Sequence, residues 1–499
     1  MMERGKENEP PRRQGAKRGS PRGTRHAFFL ASLCLGGLFF SAARADENSD
    51  LNMIPGSIDQ PAPKASDAAA PPTAAPAPTS TASGKIYVED AFTVNSFRSP
   101  LAVPLPSSPT PPTNVQNRTS LDVTHKWALG DTLEASISDR FNFYEQDNVS
   151  FPAHQDFRND FREGYFTWEP QAQTYLEAGR INIRHGTALG FNPTDFFKTR
   201  TQLDLASEDP SVIREDRLGV AMVQGQKIFE GGSVSLAVAP RLAAPTAIPT
   251  TGSLPSLDPG FGRTNGNNRM LLSGSYEVAD GVSPEALVFH QDGETRFGAN
   301  VSRTIGQAIV AYGEWAGGQQ ASVTSRAIEF GHLTGTLPSQ VVDSDPRRSF
   351  TNDAAVGASW TNGADELTFN LEYHYHQSGF GSSDFRHWYA AAQSGIPRIN
   401  DVLWYTRSYA GDQGEPLSRQ QFFLRADWND AFIDKLELSA IAFVNAYDGS
   451  TLTQIAATYY LSDTWTVGAL AGASIGAARS ERGSLPEQAS AIAQLVRYF

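Results

Sequence analysis

Residues 365 to 377 set side chains of opposite character on alternate positions. Leu367, Phe369, Leu371, Tyr373 and Tyr375 alternate with Glu366, Thr368, Asn370, Glu372, His374 and His376. Successive side chains of a strand point to opposite faces, so one face is apolar and ends in tyrosines while the other is polar and charged. No apolar run beyond residue 45 approaches the ~20 residues that a spanning helix needs. A chain of this kind crosses a membrane, if at all, with strands. Strands do so only as a closed barrel, because every backbone N–H and C=O in hydrocarbon needs a partner.

Other segments repeat the period. Gln421 to Trp428 sets Phe422, Leu424, Ala426 and Trp428 outward, with Arg425 and Asp427 inward. Thr132 to Tyr144 sets Leu133, Ala135, Ile137, Phe141 and Phe143 against Glu134, Ser136, Ser138, Arg140 and Asn142, with Asp139 breaking the pattern. A soluble sandwich also alternates, but its faces do not end so regularly in aromatics at a water boundary.

Gly, Asn, Asp and Pro chemistry suited to tight hairpins falls at Leu129-Gly130-Asp131, Glu169-Pro170-Gln171, Glu230-Gly231-Gly232 and Ala279-Asp280-Gly281. It recurs at Ile305-Gly306, Asn362-Gly363, Asn429-Asp430 and Ser462-Asp463. Longer connections fall between these turns, near 99–118, 145–156, 185–216, 241–267, 316–347 and 378–417, with shorter ones near 292, 448 and 473–487. Short turns on one side and long loops on the other are the polarity of an outer-membrane barrel. The expected fold is therefore all-β, a transmembrane antiparallel up-and-down barrel of 18 strands over residues 86–499. Sixteen is the alternative if Ser283–Gln291 and its neighbour are not a hairpin.

The first 45 residues read as an export signal. Arg12, Arg13, Lys17, Arg18, Arg22 and Arg25 precede an apolar run from Ala27 to Phe40, and Ala43-Arg44-Ala45 supplies small residues for cleavage. Arg12-Arg13 lies too far from that run for twin-arginine export. Leu33 stands before Cys34 where acylation needs a small residue. Cys34 is the chain's one cysteine, so residues 46–499 carry no disulfide and no thiolate metal site. Residues 46–85, rich in Pro and Ala, cannot pack a core and read as a disordered periplasmic linker. The last strand, ending Arg497-Tyr498-Phe499, has the aromatic terminus by which barrel-assembly machinery receives outer-membrane proteins.

The formal net charge of −13 argues against nucleic-acid binding through a basic patch. Neither His-Glu-x-x-His nor Gly-x-x-x-x-Gly-Lys occurs, and the expectation is a protein that is not an enzyme and takes no cofactor. The linker is too short and too apolar-poor for the plug of an energy-coupled receptor. Eighteen strands enclose more space than wall side chains fill, which points to passive diffusion of small hydrophilic solutes. A closed structural or adhesive barrel is the rival, and export of a polysaccharide a third reading. Expected neighbours are outer-membrane lipid and lipopolysaccharide, and the apolar outer face leaves homo-oligomers open.

Three stretches carry a family likeness: Phe161-Arg162-Glu163-Gly164-Tyr165-Phe166-Thr167-Trp168, Ala178-Gly179-Arg180-Ile181-Asn182-Ile183-Arg184-His185-Gly186, and Gly190-Phe191-Asn192-Pro193-Thr194-Asp195. Together they resemble a block in porin-like outer-membrane proteins related to alginate-export channels. The resemblance implies a barrel of that broad type and is silent about solute. Gly164 stands where the pattern has alanine, and the chain's acidic balance departs from an arginine-lined polyanion pore.

From the residues alone, Arg180, Asn182 and Arg184 share the face opposite Ile181 and Ile183, which places them in the lumen with Glu163 as counter-charge. The third long loop follows with Asp195, Lys198, Arg200, Asp204, Glu208, Asp209, Arg214, Glu215, Asp216 and Arg217. Folded into the channel, it would narrow it and set opposed charges across it; left outside, it is a solvated surface loop. Arg425 is a further inward cation. Phe385, Trp388, Tyr389, Trp404, Tyr405 and Tyr409 either guide solute rings or pack the loop 378–417 onto the rim, with Ser383 or Asp384 capping a helix there. Glu372, His374 and His376 recur at strand spacing, ~6–7 Å apart, wide for one metal ion, and read as lumen-wall polarity.

Overall fold

The computed structural model describes residues 83–499 except 107–112, 147–156, 204–206, 249–256, 339–341, 346, 364–365 and 397. The expected export signal, all but the end of the expected linker, and Asp204 lie outside the described residues. The first strands are β1 (Ser83–Phe97), β2 (Val115–Ala128), β3 (Leu133–Gln146), β4 (Phe157–Gln171), β5 (Thr174–Ile181) and β6 (Val220–Phe229). Next come β7 (Gly232–Ala239), β8 (Arg269–Tyr276), β9 (Glu285–Gln291), β10 (Glu294–Ile305), β11 (Ile309–Gln320) and β12 (Ser349–Asn362). The ring is completed by β13 (Leu367–His376), β14 (Gln420–Trp428), β15 (Leu436–Asn445), β16 (Thr451–Ser462), β17 (Trp465–Ile475) and β18 (Glu487–Tyr498).

Each strand pairs antiparallel with its sequence neighbours, and β18 pairs back onto β1, so the sheet is a closed 18-stranded barrel. Seven of the eight tight turns and the intervening connections fall where the sequence places them; Glu169-Pro170-Gln171 instead ends β4, and the turn follows at Ala172-Gln173. β8 and β9 form the hairpin that decides 18 over 16. The first strand starts at Ser83, three residues before the expected boundary.

The outer face is apolar, with Val223 59%, Leu371 55% and Ile455 61% exposed. Ringed residues cluster toward its edges, where Trp360 stacks on Phe369 with centroids 6.0 Å apart. At the closing strand the Arg497 guanidinium lies over Trp465 and Phe499, 5.2 and 4.9 Å from their centroids. An arginine two before the end therefore fits the aromatic belt through its planar face.

Among the described residues three longer helices form in the connections: α1 (Val323–Leu333), α2 (Ser382–Ala392) and α3 (Ile399–Asp412). Asp384 receives the Gly381 N–H at 2.8 Å at the start of α2. Phe385, Trp388, Tyr389, Tyr405 and Tyr409 are buried in one cluster with Val103, Val323 and Ile328, and Trp404 packs against it. The aromatic loop thus packs as a cap of long-loop helices. Strand spacing and tilt put the backbone roughly 35 Å across, too wide for wall side chains alone to fill.

Candidate functional site

The connection between β5 and β6 turns into the barrel. Its backbone N–H groups at Thr187 and Ala188 donate to Glu314 on β11, the latter at 2.5 Å. Those at Leu189 and Gly190 donate to Glu372 on β13 at 2.6 and 2.9 Å. Farther along, Asp209 accepts from Arg425 on β14 at 3.0 Å, and the Glu208 N–H donates to Gln454 on β16 at 2.7 Å. In an 18-strand ring β14 stands diametrically opposite β5. The loop therefore crosses the lumen and is tied to the far wall.

Close approach explains two glycines. A Cβ on Gly190 would lie 2.5 Å from the Phe423 ring, and Gly186 has φ +82° with Glu314 2.4 Å from where a Cβ would sit. Only glycine lets the backbone reach those carboxylates.

The Asn192-Pro193-Thr194-Asp195 stretch is a folding device. Asn192 Oδ1 accepts the Asp195 N–H at 3.0 Å, and the Asp195 carboxylate receives both Nη atoms of Arg217 at 2.8 and 3.1 Å. Burial pushes that carboxyl up, but Arg217 and Arg214 outweigh it and hold it below the usual carboxylate range. A depressed folded-state pKa means the anchor's stability is fully present above the ordinary value of ~3.9 and fades only as pH falls through the lower folded one.

Lys198 lies over the Phe191 ring, 4.3 Å from its centroid, and donates to the Asn192 carbonyl. Burial pushes it down to about 8, against the pull of Asp195 and Glu415. Raising pH from 7 to 9 is therefore expected to remove a lumen cation and shift reversal potentials toward cation selectivity. Lys198→Met should abolish that pH dependence; a shift persisting in the variant would assign it elsewhere.

Arg200 is a brace. It donates to Asp412 of α3 at 2.9 Å and to the carbonyls of Gly262 and Thr246 at 3.2 and 2.7 Å, fixing the lumen loop to the outer cap. Arg425 meets Asp209, Ser211 and Asp427 at 3.0, 2.7 and 2.6 Å.

The expected lumen row of Arg180, Asn182 and Arg184 does not form. β5 ends at Ile181, and Arg180 follows the register of the outward Leu176 and Ala178. It is 3% exposed, donates to the carbonyls of Gly219, at 3.0 Å, and Pro259, and lies against Phe161 and Phe261. Nor is Glu163 its counter-charge: Glu163 accepts the Asn182 N–H at 2.9 Å. Asn182 itself bonds Arg217 at 2.6 Å, and Arg184 stands 4.0 Å from Glu215. Arg180→Ala is expected to leave the reversal potential unchanged while lowering the unfolding temperature; a selectivity shift would return Arg180 to the lumen.

Sequence reading missed the anchors Glu314 and Asp209's pairing, and a buried row on β1 to β4. There Glu89 receives Arg118 and Arg140 at 2.9 and 2.6 Å, and Asp122 receives Arg162 at 2.6 Å. Their alternation with outward apolar residues was the available signal. Glu372, His374 and His376 do face inward, with His374 2.7 Å from Glu372 and His376 2.8 Å from Asp353. Both histidines are enclosed between the wall and the loop, where Phe191 meets each ring edge-on at 5.8 Å.

A closed antiparallel barrel with an apolar outer band and a loop strapped across its interior defines a transmembrane β-barrel protein with a narrowed lumen. Among solved structures it is similar to Pseudomonas aeruginosa OccK8 (OprE), at 8% identity and TM-score 0.48, over 84% of this chain and 98% of that one. A BenF-like porin from Pseudomonas fluorescens Pf-5 gives 9% and 0.48 over 84% and 98%. Acinetobacter baumannii OccAB4 gives 8% and 0.48 over 85% and 100%. Likeness at this level says nothing about this chain's solute. No family model matches the chain, and no curated protein does.

Proposed function

We propose that this protein is a channel of the Gram-negative outer membrane through which small hydrophilic solutes diffuse passively, with the loop 182–219 as its constriction. One observation carries the reading: that loop crosses a barrel too wide to be filled by its walls and is held there by the carboxylates of Glu314 and Glu372 and by the ion pairs Arg200–Asp412 and Arg425–Asp209. Aqueous space beside a rigid strap admits solutes by size and charge, with no energy input and no chemistry. An export signal, lipid and lipopolysaccharide around the apolar face, and delivery by assembly machinery through the Phe499 strand belong to the same reading.

A closed structural barrel is favoured by one feature, the cap of α1, α2 and α3 over a buried aromatic cluster. The likeness to alginate-export channels rests on residues that fold the loop, and supports no polysaccharide in particular. Swelling of protein-loaded liposomes in sugars, amino acids and organic acids separates these readings. Swelling rates should fall with solute size across the panel. No swelling in any solute would leave the closed barrel.

A further inference from the structure

The outer face breaks its own rule on β1 to β4. Asp90 faces out between Val88 and Phe92, and Asp139 between Ile137 and Phe141, each midway along its strand within the apolar band. Neutral neighbours serve them: Asn117 and Thr119 donate to Asp90 at 2.9 and 2.7 Å, and Asn159 to Asp139 at 2.6 Å. Among the described residues neither carboxylate has an ion-pair partner, and Asn117 Oδ1 is buried without a hydrogen bond. Polar groups facing lipid at that depth are costly, and elsewhere outward positions at mid-strand are apolar, such as Leu371 on β13, Leu424 on β14 and Leu272 on β8.

Across the closure seam the same face turns flat. Outward Ala469 and Ala471 of β17 stand beside Ala493 and Ala491 of β18, which in turn adjoin Phe92 and Val94 of β1. Small residues let a second surface approach closely, which the polar row alone would not need.

We propose that the outer face of β17, β18 and β1 to β4 is the contact surface for a second copy of this chain. The row alternates carboxylate acceptors with amide and hydroxyl donors, so it is complementary to itself. A copy placed on it removes Asp90 and Asp139 from lipid and offers them the second amide N–H of the neighbour's Asn117 and Asn159. Six strands span ~30 Å, and with an apolar band ~25 Å tall the face offers about 700 Å². Stable interfaces bury about 600–1,000 Å² per partner, and the patch falls within that range. This surface rests on the membrane reading given above, and the test keeps the two separate.

Single cysteines are placed at Leu121, Ala491 and Leu371 in a Cys34→Ser background and treated with a short bis-maleimide in intact outer membranes. Leu121→Cys and Ala491→Cys should give bands at twice the chain's mass, and Leu371→Cys, on β13, none. Adding Asp90→Leu and Asp139→Leu should cut those cross-links at least several-fold while the barrel stays folded. Cross-links to a band of another mass, equal cross-linking at Leu371, or none at Leu121 and Ala491 would overturn the proposal. Labelling of Leu371→Cys by a lipid-phase maleimide reports the membrane reading independently. If it fails, that reading fails; if it succeeds without cross-links, only the interface does.

Discussion

Excision of residues 187–216, with a short Gly-Ser link joining Gly186 to Arg217, should raise single-channel conductance several-fold. β5 and β6 are neighbours in the sheet, so the wall closes without the loop. What is removed is the strap held by Glu314, Glu372, Arg425 and Gln454. An empty ring of 18 strands approaches an open aqueous pore, and larger solutes should then permeate liposomes. Unchanged conductance would mean that current does not pass the loop, and that the constriction lies elsewhere.

Asp195→Ala should be the most destabilising single substitution in the loop. The carboxylate is 2% exposed and binds Arg217 in a fork while Arg214 stands 3.8 Å away. Removing it leaves buried cations uncompensated, which typically costs about 3–5 kcal/mol. The expected signs are a clear drop in the temperature at which the folded gel band gives way to the unfolded one, and protease cutting within 187–216. The β-sheet circular dichroism should persist below that temperature. Asp195→Asn should cost less, because one acceptor survives. A variant as heat-stable as the unaltered protein would show that the pair does not hold the loop.

Much of the barrel was legible because its physics is local. Each tight turn needs Gly, Asn, Asp or Pro chemistry, and a strand between lipid and water must alternate, so turn positions and the β13 pattern follow from the sequence. Arg180 was not legible for a related reason. Ile181 and Ile183 look lipid-facing to anyone who assumes a uniformly polar interior. In fact they are buried inside, against Phe196, Phe197, Val220 and Met222. The loop brings its own apolar side chains into the lumen, which reverses the expected face and sets Arg180 on the register of Leu176. Gly179, at φ +141°, adds a local distortion that periodicity does not reveal.

The charges of the loop were visible, but not what they do. Asp195, Lys198 and Arg200 appear in sequence as opposed rows for passing solutes. Their partners, Arg217, the Asn192 carbonyl and Asp412, show them holding the loop in place. Pairings between residues as distant in sequence as Arg200 and Asp412 depend on tertiary placement. Strand spacing carries no trace of them.

The most direct test of an open channel is single-channel recording of the purified protein in planar lipid bilayers. Discrete, uniform conductance steps are the predicted result. A folded barrel that inserts yet gives no steps at any voltage would contradict the account.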